Sequence, residues 1–337
     1  MPSPNTLFSH LYVESDLLDH RIVREVQARL PNAVTIPVPH YKAVFNRAGQ
    51  DARLQRKGQK LILARKRPPF IHKGASIIQD FGNHHLYYTP QLFNCIYDCS
   101  YCYLQGIYPS ANLVVFVNTD DYFRHLDTLL PDFTPNAPLY LCISYDTDLL
   151  ALEGTLGMVE KWITYARTQP HLLIENRTKS ANFSAIAHLT PAKNVILAWS
   201  LLPDSIAREM DRKAPPLAKR LEAVRQATEA GWQVRLAFEP IVWQHAYATC
   251  YPAFIHEVFS VVDPAKIREV NVDLFRINRD FLERMKRNRP EPVLYYPYQI
   301  KEGLATYDDA TAQALKRVLK EALSHYLPPE KCFFQTY

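Results

Sequence analysis

Residues 95–102 read Cys95-Ile-Tyr-Asp-Cys99-Ser-Tyr-Cys102, which places three cysteines close together in the chain. The remaining cysteines are scattered, at Cys142, Cys250 and Cys332. Clustered cysteines in an intracellular enzyme bind metal more often than they form disulfides, so the pattern indicates a metal site in a reducing compartment. Zinc sites usually draw four ligands from pairs of C-x2-C, whereas this spacing is C-x3-C-x2-C.

The spacing of the three cysteines suits an iron–sulfur cluster. A [4Fe–4S] cube held by three thiolates leaves one iron open to bind a substrate. In radical S-adenosylmethionine (SAM) enzymes the open iron chelates the amino and carboxylate groups of SAM, and an electron from the cluster cleaves the C–S bond to give a 5′-deoxyadenosyl radical. We therefore predict a [4Fe–4S] cluster on Cys95, Cys99 and Cys102, with SAM as a second cofactor. A zinc site and three buried cysteines are the alternatives.

Beyond residue 86, short apolar runs alternate with helix-like segments. The runs are predicted to be strands at Leu113–Val117, Leu139–Ile143, Leu172–Glu175, Val195–Trp199, Val234–Phe238 and Val270–Leu274. Strands that alternate with helices form a parallel sheet covered by helices, and six units are too few for a closed eight-stranded barrel. The sequence therefore predicts an α/β fold with a partial (β/α)6 barrel, whose active site lies at the C-terminal ends of the strands.

The same patterns predict three regions. Residues 1–85 form an N-terminal mixed α/β region, residues 86–275 the barrel, and residues 276–337 a C-terminal extension that faces the substrate. Helices are predicted at Asp19–Leu30, Thr119–Leu130, Thr155–Thr168, Leu217–Ala230 and Ala253–Val262. Gly231 follows the fourth of these helices, where a C-terminal glycine is typical.

Composition excludes global disorder and membrane integration. The chain of 337 residues is 47% hydrophobic, and no uncharged apolar run is long enough to span a membrane. The N-terminus lacks a basic segment followed by an apolar one, so we expect no secretory signal and a cytoplasmic enzyme.

The net charge of +5 is compatible with nucleic-acid binding without demanding it. Two groups of basic residues stand out. The first is Arg53, Arg56, Lys57, Lys60, Arg65, Lys66 and Arg67, and the second is Arg276, Arg279, Arg284, Lys286, Arg287 and Arg289. Each group is either a solvated face or part of a DNA-binding groove.

The cluster motif and the segments after it resemble the spore photoproduct lyase family. Cys95 to Gln105 (CIYDCSYCYLQ) and Leu113–Asn118 (LVVFVN) look like the family's cluster loop and first barrel strand. The further matches are Cys142-Ile-Ser144, Thr178-Lys179, Trp199-Ser200, Pro216-Leu217, Arg220, Ala230-Gly231-Trp232 and the basic run Arg53–Arg67. The similarity covers most of the chain.

The resemblance implies a DNA repair reaction. In the family, the 5′-deoxyadenosyl radical removes a hydrogen from the thymine dimer that ultraviolet light forms in spore DNA, and the C–C bond that joins the thymines then breaks. Cys142 matches the thiol that gives a hydrogen to the resulting thymine radical. Tyr101 and Tyr103 match two tyrosines that help to return the radical to SAM.

The resemblance also implies the SAM contacts and the partners. Ser144, Lys179 and Ser200 match positions that contact SAM. Damaged DNA would be the substrate, a flavodoxin or ferredoxin would supply electrons, no membrane would be involved, and the protein would act as a monomer.

Each of these residues also has an ordinary structural explanation. Cys142 lies on an apolar strand, where a cysteine can be a small core residue. Lys179 could be an ordinary loop lysine, and Tyr101 and Tyr103 could pack around the cluster.

The sequence departs from the family pattern in two places. The family's Cys-Thr-Ser-Asp becomes Cys142-Ile-Ser-Tyr-Asp146, which displaces the acidic residue. The family's basic, aromatic hairpin near the C-terminus is shortened to 293–298 (VLYYPY), whose tyrosines are predicted to stack on a lesion, and the arginine before it is Arg276 or Arg279. Two alternatives therefore stay open: a radical SAM enzyme with a non-DNA substrate, such as a modified nucleoside or a peptide, and a non-enzymatic zinc-binding protein.

Overall fold

The structure is a computed structural model that describes residues 7–75 and 78–335. Its strands are β1 (His10–Glu14), β2 (Val34–Val38), β3 (Leu61–Ala64), β4 (His72–Lys73), β5 (Leu86–Tyr88), β6 (Leu92–Phe93), β7 (Asp98–Cys99), β8 (Leu113–Phe116), β9 (Leu139–Cys142), β10 (Leu172–Thr178), β11 (Val195–Leu201), β12 (Asp211–Arg212), β13 (Gln233–Ile241), β14 (Ile267–Leu274), β15 (Arg276–Asn278), β16 (Gln299–Lys301), β17 (Leu304–Thr306) and β18 (Cys332–Phe334).

Helices alternate with many of these strands. They are α1 (Arg21–Arg29), α2 (Lys42–Phe45), α3 (Ala52–Gln55), α4 (Leu104–Ile107), α5 (Thr119–Leu129), α6 (Glu153–Leu156), α7 (Met158–Arg167), α8 (Asp204–Met210), α9 (Leu217–Glu229), α10 (Tyr247–Val261), α11 (Arg279–Asn288) and α12 (Asp309–Ser324). Within the described ranges, no helix combines the length and the apolar character that crossing a membrane requires.

The chain divides into two compact units, and the first contains residues 1–96 and 107–176. Its five-stranded sheet has the order β2-β1-β3-β8-β6. β1 pairs in parallel with β2 and β3, and β3 pairs in parallel with β8, whereas β6 runs antiparallel to β8. The same unit holds β4, β5, β9 and most of β10, where β9 pairs in parallel with both β5 and β10.

One predicted barrel strand belongs to the N-terminal sheet instead. The sequence predicts Leu113–Val117 as the first barrel strand, but β8 pairs with β3, with Leu113 opposite Leu61. On the side of β9 away from β10, the neighbouring strand is β5, with Tyr88 opposite Cys142. All four residues of β8 are buried, and such an apolar run identifies a strand without identifying its partner, so this assignment was wrong.

The second unit contains residues 97–106 and 177–337. β13 pairs in parallel with β11 and β14, and β14 pairs in parallel with β18. The expected strands at Val195–Trp199, Val234–Phe238 and Val270–Leu274 are therefore confirmed within β11, β13 and β14. The three-region division of the sequence stays a prediction.

Helix α9 shows why the regular part of the chain could be predicted. Leu217, Leu221 and Val224 are buried at helical spacing, on the face that packs against β11 and β13. The helix is followed by Gly231 at φ +88°, a backbone conformation that glycine adopts without steric strain.

Residues 299–306 form a short hairpin that the sequence analysis missed. β16 and β17 pair antiparallel, and β15 pairs with β17 on its other side. Glu302 and Gly303 connect β16 to β17 with φ values of +49° and +79°. Two residues with positive φ are typical of the tight turns that join antiparallel strands.

Candidate active site

The cluster loop, residues 95–106, begins in the first unit, where side-chain hydrogen bonds hold the backbone in place. Gln59 Nε2 donates hydrogen bonds to the carbonyls of Cys95 at 3.0 Å and Ala111 at 2.8 Å. The preceding residue, Asn94, has φ +68° and donates its side-chain amide to the carbonyl of Ser110 at 2.6 Å. Asparagine tolerates this left-handed conformation better than most residues, and the side-chain bond stabilises it.

The rest of the cluster loop lies in the second unit, where a two-stranded ladder holds it. β7 pairs antiparallel with β12, so that Cys99 lies opposite Asp211 and Asp98 opposite Arg212. Ser100 N donates to the carbonyl of Met210 at 2.8 Å. Beyond the ladder the chain turns, and Cys102 N donates to the carbonyl of Cys99 at 3.1 Å.

The donor chemistry of the loop fits an iron–sulfur cluster. Cys95, Cys99 and Cys102 take part in no disulfide, and Cys99 is buried. In the part of the chain that the structure describes, no group of three or more His, Cys, Asp and Glu side chains is arranged around a single metal ion. A cube is bound with one thiolate on each of three irons, so its ligands need not converge on one point as the ligands of a zinc ion do.

Asp211 brings two of the predicted site residues together in the second unit. Its side chain is fully buried, and its carboxylate accepts a hydrogen bond from the phenol of Tyr101. Lys179 Nζ lies 3.4 Å from the same carboxylate, and Arg220 Nη1 donates to it at 2.7 Å. The Lys179 ammonium also lies 5.5 Å from the centre of the Tyr101 ring.

The electrostatics of this group keep Asp211 ionised and Tyr101 neutral. Burial by itself would raise the pKa of Asp211, but Lys179, Arg220 and the Tyr101 hydrogen bond hold that pKa below its usual range. Burial, followed by the negative charge of Asp211, raises the pKa of Tyr101 well above its usual range. The phenol therefore keeps its proton and stays a hydrogen-bond donor.

Ser200 lies at the C-terminal end of β11, within a second polar group. Its hydroxyl donates to Glu239 at 3.3 Å, and Asn271 Nδ2 donates to the same carboxylate at 3.0 Å. Arg177 forms an ion pair with Glu239. Burial would raise the pKa of Glu239, but Arg177, Lys179 and the Ser200 hydrogen bond together hold that pKa below its usual range. These residues come from β10, β11, β13 and β14, as expected for a site at the strand ends.

The remaining predicted residues are distributed between the two units. Tyr103 lies in the second unit, where it is partly buried and its carbonyl accepts from Gly106 N at 2.8 Å. Cys142 and Ser144 lie in the first unit. Cys142 is the last residue of β9 and is partly exposed, and its carbonyl accepts from Thr89 N at 3.1 Å. Ser144 is buried two residues further on.

The displaced acidic residue, Asp146, interacts with a tyrosine of the first unit. Burial, followed by the Asp146 charge, raises the pKa of Tyr108 far above its usual range, and the phenol is hydrogen-bonded to that carboxylate. Tyr145 packs against Tyr88 with ring centres 4.6 Å apart.

The three tyrosines of the segment 293–298 differ in how far they are exposed. Tyr295 is 56% exposed. Tyr296 and Tyr298 are partly buried and pack against each other with ring centres 5.1 Å apart, and Tyr307 lies 4.9 Å from Tyr296. The hydroxyl of Tyr298 donates to the carbonyl of Val293 at 2.7 Å. Tyr295 is therefore the tyrosine of this segment that presents the most surface to a base.

The second basic group divides into paired and unpaired residues. Arg276 pairs with Asp273 at 3.3 Å, and Lys286 pairs with Glu283 at 3.0 Å. Among the described residues, Arg279, Arg284 and Arg287 have no ion-pair partner, and all three are exposed. These three arginines are therefore available to phosphate groups.

Sequence reasoning missed Asp211 and Glu239 as site residues. Asp211 stands in a two-residue strand outside the apolar runs, and two of its three partners, Tyr101 and Lys179, come from distant parts of the chain. Glu239 had a signal, because it lies just after the apolar run 234–238, where the strand-end rule expects functional residues.

Comparison with known proteins gives consistent matches. A family model described as spore photoproduct lyase matches residues 84–336. The spore photoproduct lyase of Bacillus subtilis (strain 168) is 20% identical over 268 residues, which cover 74% of this chain and 76% of that protein. The spore photoproduct lyase of Geobacillus sp. (strain Y412MC61) is 19% identical over 258 residues, which cover 72% and 74%.

Solved structures of spore photoproduct lyase share the fold. A cysteine-to-serine mutant has a TM-score of 0.85 at 15% identity and covers 98% of this chain and 99% of its own. A complex with dinucleoside spore photoproduct has a TM-score of 0.83 at 16% identity, with coverage of 98% and 99%. A mutant with bound AdoMet and dinucleoside spore photoproduct has a TM-score of 0.84 at 15% identity, with coverage of 99% and 99%. The predicted α/β fold with a partial radical SAM barrel is thereby confirmed.

Proposed function

Because the chain belongs to the spore photoproduct lyase family of radical SAM enzymes, we propose that it repairs a thymine photodimer in DNA by splitting the C–C bond between the two thymines. One observation carries the proposal: the family model spans residues 84–336, which contain the cluster loop and every predicted site residue. The family's cofactors are a [4Fe–4S] cluster and SAM, which argues against the zinc-binding alternative.

In this proposal the cofactors are held by the residues that the sequence indicated. Cys95, Cys99 and Cys102 ligate the cluster, and Lys179 and Ser200, together with Ser144, contact SAM. When bound, the cluster and SAM supply a hydrogen-abstracting radical to the substrate. The contribution of the chain itself is to bind the lesion, orient it and quench the product.

In this proposal, Cys142 quenches the product radical by giving it a hydrogen atom. An S–H bond is weak enough to give its hydrogen atom to a carbon radical, and the thiol is partly exposed at the end of β9. Transfer leaves a sulfur radical on Cys142. A hydrogen atom relayed by Tyr101 and Tyr103 would restore the thiol, and 5′-deoxyadenosine would supply that atom, so that the radical returns to SAM. The hydrogen bond of Tyr101 to Asp211 keeps that phenol protonated until it reacts.

The substrate is recognised mainly through its phosphates. Arg279, Arg284 and Arg287 are exposed on α11 or at its start, and the first basic group adds the exposed Lys57 and Arg67. Neutralising phosphates releases counterions, so binding weakens as salt increases. Tyr295 is placed to stack on a base pushed out of the helix.

A repair assay tests the proposal. Protein reconstituted under anaerobic conditions is incubated with SAM, a reductant and an oligonucleotide that carries a single spore photoproduct, and the restored thymines are measured. We expect repair, about four irons per chain, and loss of both in Cys95→Ala, Cys99→Ala and Cys102→Ala. Cys332→Ala is the matched control and should retain both. SAM cleavage without repair would point to a different substrate, and stoichiometric zinc without iron–sulfur absorption would contradict the radical SAM assignment.

Three further features belong to this proposal. The protein acts in the cytoplasm, it functions as a monomer, and a flavodoxin or ferredoxin supplies the electron. The six cysteines, all within the described residues, form no disulfide, which is compatible with a reducing compartment. Size-exclusion chromatography with light scattering, with and without DNA, tests the monomer, and reduction by purified flavodoxin tests the donor.

A further inference from the structure

We propose that Asp211 is a positioning residue that fixes Lys179 and Tyr101 in the active site, an inference that rests on the proposed function. No sequence motif marks Asp211. Its importance follows from its place between two predicted site residues and from the ladder that sets it opposite Cys99.

The Asp211 carboxylate is held rigidly. Its side chain has no exposed surface, and the neighbouring Arg220 side chain is 1% exposed. Arg220 donates to Asp211 at 2.7 Å, to the carbonyl of Pro215 at 2.8 Å and to the carbonyl of Ser200 at 3.3 Å. Arg220 therefore cannot reorient without losing several buried hydrogen bonds, and it fixes the carboxylate to which Tyr101 and Lys179 bind.

The charges in this group do not cancel. Asp211 and the nearby Glu239 carry two negative charges, while Arg220, Lys179 and Arg177 carry three positive charges, so one positive charge remains among these five residues. Of the two cations beside Asp211, Lys179 is the more accessible, with 15% of its side chain exposed against 1% for Arg220. A carboxylate ligand that approaches this group would meet Lys179 first, and SAM carries such a carboxylate.

Removal of the Asp211 charge should displace Lys179. Without that charge, Arg220 and Lys179 become neighbouring cations that lack the carboxylate they share in the wild type. Arg220 is locked by two backbone carbonyls, so the flexible lysine is the group that moves outward. The ligand group affected should be the carboxylate of SAM, while the contacts to adenosine stay intact.

The test compares two ligands in protein with a reconstituted cluster. SAM contains the amino-acid portion, and 5′-deoxy-5′-methylthioadenosine retains the adenosine and the sulfur without it. We expect Asp211→Asn to raise the dissociation constant of SAM about tenfold, which is ~1.4 kcal/mol, and to leave that of methylthioadenosine within about twofold. In a Lys179→Met background the Asp211→Asn change should have little further effect on SAM. Asp204→Asn, which changes a half-buried aspartate that is paired with the exposed Arg208 at the start of α8, is the matched control and should bind both ligands normally.

A second measurement reports on Tyr101 without cofactors. With 3-fluorotyrosine at position 101 of cluster-free protein, the fluorine resonance should shift and broaden at a single fixed pH in Asp211→Asn relative to wild type, because the phenol has lost the carboxylate that accepts its hydrogen bond. If Asp211→Asn does not fold, Asp211→Glu keeps the charge and should bind SAM within about threefold of wild type.

The outcomes separate the two proposals. Unchanged or tighter SAM binding by Asp211→Asn, equal loss of both ligands, or a tenfold loss in Asp211→Glu would each overturn the positioning role. Repair by the wild type would still support the proposed function in those cases. Wild-type protein that binds no SAM at all would overturn both.

Discussion

Arg289 forms an ion pair with Asp98, so a side chain that follows helix α11 holds the residue next to Cys99. Arg289 also pairs with Glu291 at 2.7 Å, and Glu291 accepts two hydrogen bonds from Arg212 at 2.6 and 2.9 Å. Because Arg212 lies opposite Asp98 in the β7–β12 ladder, these ion pairs and the backbone pairing of the ladder together close a ring. The segment after α11 is therefore a support for the cluster loop as well as a neighbour of the basic surface.

Arg289→Ala should loosen the cluster loop. Arg289 is the ion-pair partner that Asp98 and the buried Glu291 share, and the change removes it. We expect the free energy of unfolding to fall by about 2 kcal/mol. The reconstituted protein should also lose iron faster to a chelator. Denaturant unfolding and iron-release kinetics measure the two effects. Arg287→Ala removes an exposed arginine from α11, two residues before Arg289, and should change neither the stability nor the rate of iron release. Equal behaviour of the two variants would show that the ring does not support the loop.

Gly106→Ala should strain the contact between the cluster loop and α11. A Cβ at Gly106 would lie 2.8 Å from the backbone oxygen of Phe281, and backbone cannot move aside as a side-chain end can. Overpacking of this kind destabilises by about 1–3 kcal/mol. Gly154→Ala is the control, because a Cβ there meets nothing within 4 Å and the residue is helical. Thermal unfolding should separate the variants, and equal melting temperatures would contradict a tight contact at Gly106.

Asp273 should give the protein a pH-dependent stability. Burial raises its pKa to about 7 from 3.8, Glu239 adds to the rise, and Arg276, Arg177 and Lys316 oppose it. The folded protein therefore holds more protons than the unfolded chain between these two values. Its free energy of unfolding should fall as the pH rises through this window, by up to about 1.4 kcal/mol per pH unit, and the loss should be complete above the folded-state pKa.

Asp273→Asn isolates this contribution. Asparagine does not titrate, so the variant should gain stability relative to wild type as the pH rises from 5 to 8. Urea unfolding at several pH values measures the difference, and Asp280→Asn, on the exposed start of α11, is the control. A difference between Asp273→Asn and wild type that stays constant with pH would show that Asp273 is not protonated in the folded protein.

The extent to which sequence could predict this molecule depends on how local each signal is. Helix α9 and Gly231 were predictable, because helical spacing and a left-handed glycine are properties of neighbouring residues. The partner of β8 was not, because its four apolar residues fit either sheet. The β16–β17 hairpin had a local signal in Glu302-Gly303 that the interpretation overlooked.

The candidate site shows the same division. The spacing of Cys95, Cys99 and Cys102 marked the cluster loop directly. Asp211 could not be found in this way, because its significance lies in contacts to Tyr101 and Lys179, which stand 110 and 32 residues away in the chain. Buried charge networks are assembled by the tertiary fold, and a single sequence contains no periodicity that reports them.

Cys142→Ala distinguishes a hydrogen donor from a core cysteine. If the thiol quenches the product radical, it acts after the first hydrogen abstraction, so the variant should still assemble its cluster, bind SAM and cleave SAM in the presence of substrate. The unquenched product radical should then be trapped by other reductants, which gives by-products in place of restored thymines. If Cys142 is only a core residue, Cys142→Ala should lower the free energy of unfolding by about 1–2 kcal/mol and leave the product distribution unchanged.

Chromatography of the products, compared with the amount of SAM consumed, separates these cases, because they differ in product identity and not only in rate. Cys250→Ala, in helix α10, controls for the loss of a partly exposed thiol elsewhere. Restored thymines alone, in normal proportion to the SAM consumed by Cys142→Ala, would remove Cys142 from the mechanism.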